Sequence, residues 1–235
     1  MERRLNDLEA YAEELVVLYV QAHQNVEMLD SLGTTIFVEC LQDSFGAHAF
    51  DALVNVLIGD VIRGAWALAL DKAETTPSIV NIWSMANRSG VLPTLRERFC
   101  DRRTEDTASD RDGTRDNAAC LQQFDEAVDR LRREVPAVTG SPAAARFTAA
   151  RHKGIAHHEM QRRPMGSPKR FDVASTEIGW EGLRAYVESL APLVRDLALI
   201  VTGVDHPLAA AHEHHRINVL DFWMRIRGEG RIEPR

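Results

Sequence analysis

Residues 45–71 read FGAHAFDALVNVLIGDVIRGAWALALD, and this stretch decides the fold. Leu53, Val54, Leu57, Ile58, Val61, Ile62, Trp66 and Leu68 occupy almost every face of a 3.6-residue period, the pattern of a helix surrounded by other helices. It therefore predicts the central member of a helical bundle. Residues 52–70 are the most apolar run in the chain, yet Asp60 and Arg63 interrupt it, so the expectation is a buried helix and no membrane insertion.

The flanks extend the same reading. Leu5, Leu8, Ala12, Leu15, Tyr19, Ala22, Val26 and Leu29 step by three or four residues and predict an amphipathic helix over 3–31, ended near Gly33. Downstream, Pro77 and Ser78 open a shorter helix through Ile79, Ile82, Trp83 and Met85, and residues 91–99 form another. Residues 101–116, DRRTEDTASDRDGTRD, hold no large apolar side chain and predict a mobile charged loop. Leu121, Phe124, Val128, Leu131 and Val135 then mark a helix that Pro136 helps to end. Ser141 and Pro142 give an N-cap and first-turn signal for a helix over 142–163, broken by Pro164 and Gly166. A long amphipathic helix runs through Leu183, Tyr186, Val187, Leu190, Val194, Leu197 and Ile200 to a C-cap at Gly203, and residues 206–224 form the last. No internal repeat, alternating strand pattern or Asn-Gly hairpin signal is visible. The predicted fold is all-α, an up-and-down helical bundle with additional N- and C-terminal helices, in a single domain over 1–235.

Composition excludes several classes. With 45% hydrophobic and 27% charged residues in 235, the chain can bury a core, so it is neither collagen-like nor disordered. A net charge of −7 argues against coating nucleic acid through a global field. Three cysteines, Cys40, Cys100 and Cys120, form no Cys-x-x-Cys pair, which removes a disulfide framework or cysteine zinc site and fits a reducing cytoplasm. The amino terminus, MERRLNDLEA, is charged where a secretion signal needs an apolar core. The 14 glycines form no phosphate loop or dinucleotide fingerprint, so no cofactor is expected. His212, Glu213, His214 and His215 invite a metal reading, but no third ligand at a recognised spacing accompanies them, and no metal is expected.

The chemistry gathers in residues 146–170, RFTAARHKGIAHHEMQRRPMGSPKR. Within 151–170, six Lys or Arg face one acid, Glu159, a net +5 against −12 for the remainder. Arginine presents a planar fork to phosphate oxygens, and imidazole moves protons near pH 7, so a positive site on an acidic body suits phosphate-directed chemistry. A solvated helix end is the plainer reading of the same residues.

The run Arg151-His152-Lys153-Gly154-Ile155-Ala156-His157 resembles the signature of HEPN domains: Arg, a polar residue, three to five more, then His. Lys153 and the Ala156-His157 pair are similar to the abortive-infection AbiU branch of that all-α superfamily. So is the upstream helix ending in AWALALD ahead of a Pro-Ser helix start. The resemblance covers roughly 45–203. It implies metal-independent RNA cleavage at a homodimer cleft, in toxin or phage-defence biology, with Arg151 and a histidine as the catalytic pair. His157 fits the family pattern. His158 lies seven residues from Arg151, nearly two α-helical turns and so almost the same face. His152, Lys153, Arg162, Arg163, Lys169 and Arg170 are the candidate RNA- and phosphate-binding residues. Asp60, Arg63 and Asp71 are candidates for orienting Arg151, or else form internal ion pairs or lie at a helix edge. The partners implied are RNA, a second copy of the chain and an antitoxin protein. Some HEPN toxins carry a tyrosine two residues after the motif His, where a nucleotidyltransferase modifies it; Glu159 or Met160 stands there, which argues against that control. The alternative is a non-catalytic HEPN-like module that binds a protein partner or nucleotide.

Overall fold

The computed structural model describes residues 2–32, 47–106, 117–156, 160–161, 169–170 and 176–226. Among the described residues eight α-helices carry the fold: α1 (Glu2–Leu32), α2 (Ala47–Leu70), α3 (Ile79–Ala86), α4 (Val91–Asp106), α5 (Asn117–Thr139), α6 (Pro142–Ala149), α7 (Trp180–Thr202) and α8 (Leu208–Ile226). A π-helical segment, Ala150–Ala156, continues α6, and β1 (Met160–Gln161) pairs antiparallel with β2 (Lys169–Arg170). The all-α reading holds. By its contacts the chain divides into two compact units, each taking part of α1, α2 and α7.

Unit 1 comprises residues 1–19, 67–141 and 189–207. The predicted stripe of α1 is buried at Leu5, Leu8, Ala12, Leu15 and Tyr19. Phe99 of α4 meets Phe124 of α5 edge-on, ring centroids 5.3 Å apart. Ser78 caps α3 as its sequence position predicts: its Oγ accepts from the Asn81 N–H at 3.2 Å and donates to the Asp71 carbonyl at 2.5 Å. The Asn81 amide donates to the carbonyls of Ala73, Glu74 and Thr76, so the turn between α2 and α3 has its backbone acceptors satisfied. Arg130 grips Asp196 with two bonds of 2.8 and 2.9 Å.

Unit 2 comprises residues 20–66, 142–188 and 208–235. Its core includes Val26, Leu29, Val61, Ile62, Phe147, Tyr186 and Val187, with the rings of Phe147 and Tyr186 4.3 Å apart. A second cluster joins Leu32, Val219 and Trp223 to Met28, Phe50, Val54 and Leu57. Asp30 accepts from Trp180 Nε1 at 2.5 Å and from Arg184 at 2.8 Å.

Four sequence expectations change. The helix predicted to be central is only partly enclosed: Val61, Ile62, Ala65, Leu68 and Ala69 are buried, but Leu53 is 40% and Val56 63% exposed. Apolar residues on every face show what a helix can bury, not how many neighbours reach it. By length and composition α2 is long and apolar enough to cross a membrane, although Asp60 and Arg63 sit within it. Second, α4 runs through Asp106 into the stretch expected as a loop, whose Arg and Glu residues are compatible with a helix; residues 107–116 lie outside the described residues. Third, α5 passes Pro136 and ends at Thr139, where the Gly140 N–H bonds the Pro136 carbonyl at 2.9 Å. Fourth, no continuous α-helix spans 142–163: α6 stops at Ala149, and Met160↔Arg170 and Gln161↔Lys169 are strand partners. Gly154 weakens the helix, and Pro164 disfavours helical backbone at the residue before it.

Candidate functional site

The motif residues sit where α6 changes winding. Residues 150–156 form i→i+5 hydrogen-bonded turns, one residue wider than α turns. Short π segments inside helices recur at functional sites, because the extra residue re-aims the side chains beside it. Ala150 and Gly154 are buried, Arg151, His152 and Ile155 half-buried, and Lys153 exposed. The small residues thus face the protein, while the polar ones reach its surface.

Arg151 lies over Trp66 of α2, its Cζ 4.2 Å from the indole centroid. His152 meets the same ring edge-on, centroids 5.4 Å apart and planes at 84°. Arg151 Nη1 stands 3.1 Å from His152 Nδ1. An arginine only donates, so Nδ1 must present its lone pair and the imidazole proton sits on Nε2. Trp66, Arg151 and His152 therefore form one locked group. Among the described residues, no carboxylate pairs with Arg151. Arg130 and Arg184, also partly buried, differ: Asp196 holds the first, and Glu27 and Asp30 hold the second.

The candidates for orienting Arg151 are occupied elsewhere. Asp60 accepts from Asn25 Nδ2 at 2.5 Å and Arg63 Nη2 at 3.1 Å, the latter an exposed i,i+3 pair. The Asp71 carboxylate accepts from the Ala73 N–H and the Thr76 hydroxyl and so belongs to the turn after α2. Lys169 and Arg170 fall on β2. His157, His158, Arg162 and Arg163 lie outside the described residues. The π winding of 150–156 departs from the α periodicity on which a shared face for Arg151 and His158 depends.

The HEPN_AbiU2 family, described as AbiU2, matches residues 5–222. The chain belongs to the AbiU2 family of HEPN domains. The comparisons with curated proteins and with solved structures gave no match. An abortive-infection-related HEPN protein is thus identified, and the AbiU2 match is wider than the 45–203 expected, taking in most of α1 and much of α8. The sequence resemblance underestimated this extent because its short motif and the helices beside it all lie in the middle of the chain.

Among the described residues of this AbiU2 protein, a second polar cluster surrounds His23 of α1. Its ring stacks on His212 at 3.6 Å and 4°, and lies 6.3 Å from His215. Burial first, then His212, His215 and Arg184, pushes the His23 imidazole down to about 3. The 3.8 Å approach of His23 to Glu27 is therefore an ion pair by distance but not by charge at neutral pH. Burial raises the Glu27 carboxyl, against the pull of Arg184 at 2.8 Å. Glu213, the acid of the His-rich run, pairs instead with Arg216 at 2.7 Å. No group of three or more His, Cys, Asp or Glu side chains is arranged to hold a metal among the described residues.

The sequence singles out Arg151 and His152 but not Trp66. Its aromatic ring in an apolar run carries the same signal as any core residue.

Proposed function

We propose that this AbiU2 protein is a cytoplasmic metal-independent endoribonuclease, acting as a toxin or phage-defence protein. The single observation that supports this most is the state of Arg151, a half-buried cation seated on an aromatic face with no carboxylate among the described residues to neutralise it. Arginines held for stability are quenched by acids, as Arg130 and Arg184 are. A cation kept bare is what a developing phosphorane charge requires.

In the proposed reaction a motif histidine, His157 or His158, takes the proton of a ribose 2′-hydroxyl. The 2′-oxygen attacks the adjacent phosphorus, the bond from phosphorus to the 5′-oxygen breaks, and that oxygen takes up a proton from an imidazolium or water. The products are a 2′,3′-cyclic phosphate and a 5′-hydroxyl. Arg151 binds the non-bridging oxygens, with His152 fixing the guanidinium. Lys153, Arg162, Arg163, Lys169 and Arg170 grip the RNA backbone. A second copy completes the cleft, and an antitoxin partner restrains the activity.

The test is incubation of wild-type and Arg151→Ala protein with total RNA in EDTA, followed by analysis of fragment ends. Cleavage with cyclic phosphate ends, slowed about a hundredfold or more in the variant, is the expected result. A folded wild-type dimer that leaves the RNA intact overturns the proposal and favours the module that binds a protein partner or nucleotide.

A further inference from the structure

We infer that Trp66 is the positioning residue for Arg151, holding the guanidinium through its ring face so that the cation stays in place and remains unneutralised. The inference rests on the nuclease reading above, which names Arg151 and gives His152 a part in fixing it but assigns nothing to the ring beneath the cation. An arginine side chain has four rotatable bonds, and left in solvent it samples many rotamers. Something must hold it, and the usual holder is a carboxylate. A carboxylate would cancel the charge that a phosphate is meant to meet.

The Trp66 ring avoids that conflict. Its quadrupole attracts a cation without carrying net charge, and indole is the strongest of the aromatic faces in this respect. With Cζ 4.2 Å from the ring centroid the cation is held through its central carbon, whereas its donors lie in the guanidinium plane and point outward. Nη1 is directed to His152 Nδ1, which fixes its rotation over the ring. The remaining edge is left for the two parallel bonds that a phosphate accepts. His152 touches both partners, edge-on to Trp66 and through its nitrogen to Arg151, so the three side chains restrain one another.

The ring itself is well anchored. Trp66 belongs to the packed half of α2, with Ile62 and Ala65 buried beside it, and is only half-buried itself. A tryptophan serving merely as core would be expected to turn its face to apolar neighbours rather than to a guanidinium and an imidazole.

The experiment compares wild type with Trp66→Leu and Trp66→Phe in single-turnover RNA cleavage at saturating protein, with thermal melts as the control for folding. Leucine keeps apolar bulk but has no ring face, and the cleavage rate constant is expected to fall about five- to thirtyfold. Phenylalanine keeps a face and is expected to stay within about threefold of wild type. The pH profile should not move, since neither variant alters a titrating group. An independent readout is nuclear magnetic resonance of the Arg151 side chain, whose δ and ε protons should be shifted by the indole ring current in wild type, less in Trp66→Phe, and not in Trp66→Leu. Equal rates for wild type and Trp66→Leu overturn the inference, as do equal losses in both variants. Should Trp66→Leu fail to fold, Trp66→Tyr against Trp66→Phe carries the comparison, and loss of the rate with either ring overturns the inference. If wild type itself cleaves nothing, the nuclease reading falls separately. Affinity for a single-stranded RNA oligonucleotide, measured across the same variants and Arg151→Ala, then supports Trp66 if it follows the order Trp, Phe, Leu and overturns it if it does not.

Discussion

Acidification from pH 7 to pH 5 should destabilise this protein through the His23 cluster. The unfolded chain protonates His23 with an ordinary value near 6.5, whereas the folded protein holds it down to about 3. A histidine with a depressed folded value favours folding above 6.5, and that advantage is lost progressively as pH falls toward 3. At pH 5 the unfolded state carries the extra proton almost fully and the folded state almost not at all. One and a half pH units below 6.5 correspond to about 2 kcal/mol, which solvent around the cluster trims to about 1–2 kcal/mol. His212 and His215, both lowered chiefly by burial, act in the same direction. Glu27, raised by burial, acts in the opposite one, because its folded form takes up a proton first. His23→Phe keeps a ring to stack on His212 but removes the titration. Urea unfolding of both proteins at pH 7 and pH 5 is the assay, and wild type should lose about 1–2 kcal/mol more than the variant over that interval. Equal losses would refute the claim that His23 is held neutral.

Two further outcomes follow from the packing of unit 1. Asp196→Ala should cost about 1–3 kcal/mol in urea unfolding, because it removes a 5% exposed carboxylate and leaves the Arg130 guanidinium in partly buried surroundings; Asp125→Ala, at the exposed pair with Arg96, should cost less than about 1 kcal/mol. Ser78→Ala removes a fully buried hydroxyl that caps α3 and binds the Asp71 carbonyl, so the melting temperature should fall as for a loss of about 1–2 kcal/mol, with Ser84→Ala, an exposed serine on α3, as a near-neutral control.

The helical order was legible because the apolar stripes of α1, α5 and α7 repeat at the period that the structure buries. Leu5, Leu8, Leu131 and Leu197 are all fully enclosed. Caps were legible for the same reason of locality: Ser78 needs only Asn81, three residues on, to reveal its role. What stayed hidden depends on neighbours distant in sequence or on a change of winding. The π segment escaped because counting by 3.6 presupposes an α-helix, and nothing in Ala150 to Ala156 except Gly154 signals departure from it. Trp66 beneath Arg151 and His23 against His212 are contacts between separate helices, and no spacing rule connects them. Even α2, the most distinctive stretch of the sequence, revealed its capacity to be buried but not that its first half lies open at Leu53 and Val56.

The division of the chain bears on how it is made. Unit 1 draws on residues 1–19 and again on 189–207, while unit 2 needs residues from 20 onward together with those after 207. Neither unit is complete while the polypeptide is still leaving the ribosome at α6. The Arg151 segment is translated before α7 and α8, which supply the remaining residues of both units, so the growing chain must hold its apolar stripes half-matched until they emerge. A protein truncated before residue 189 therefore holds neither unit whole.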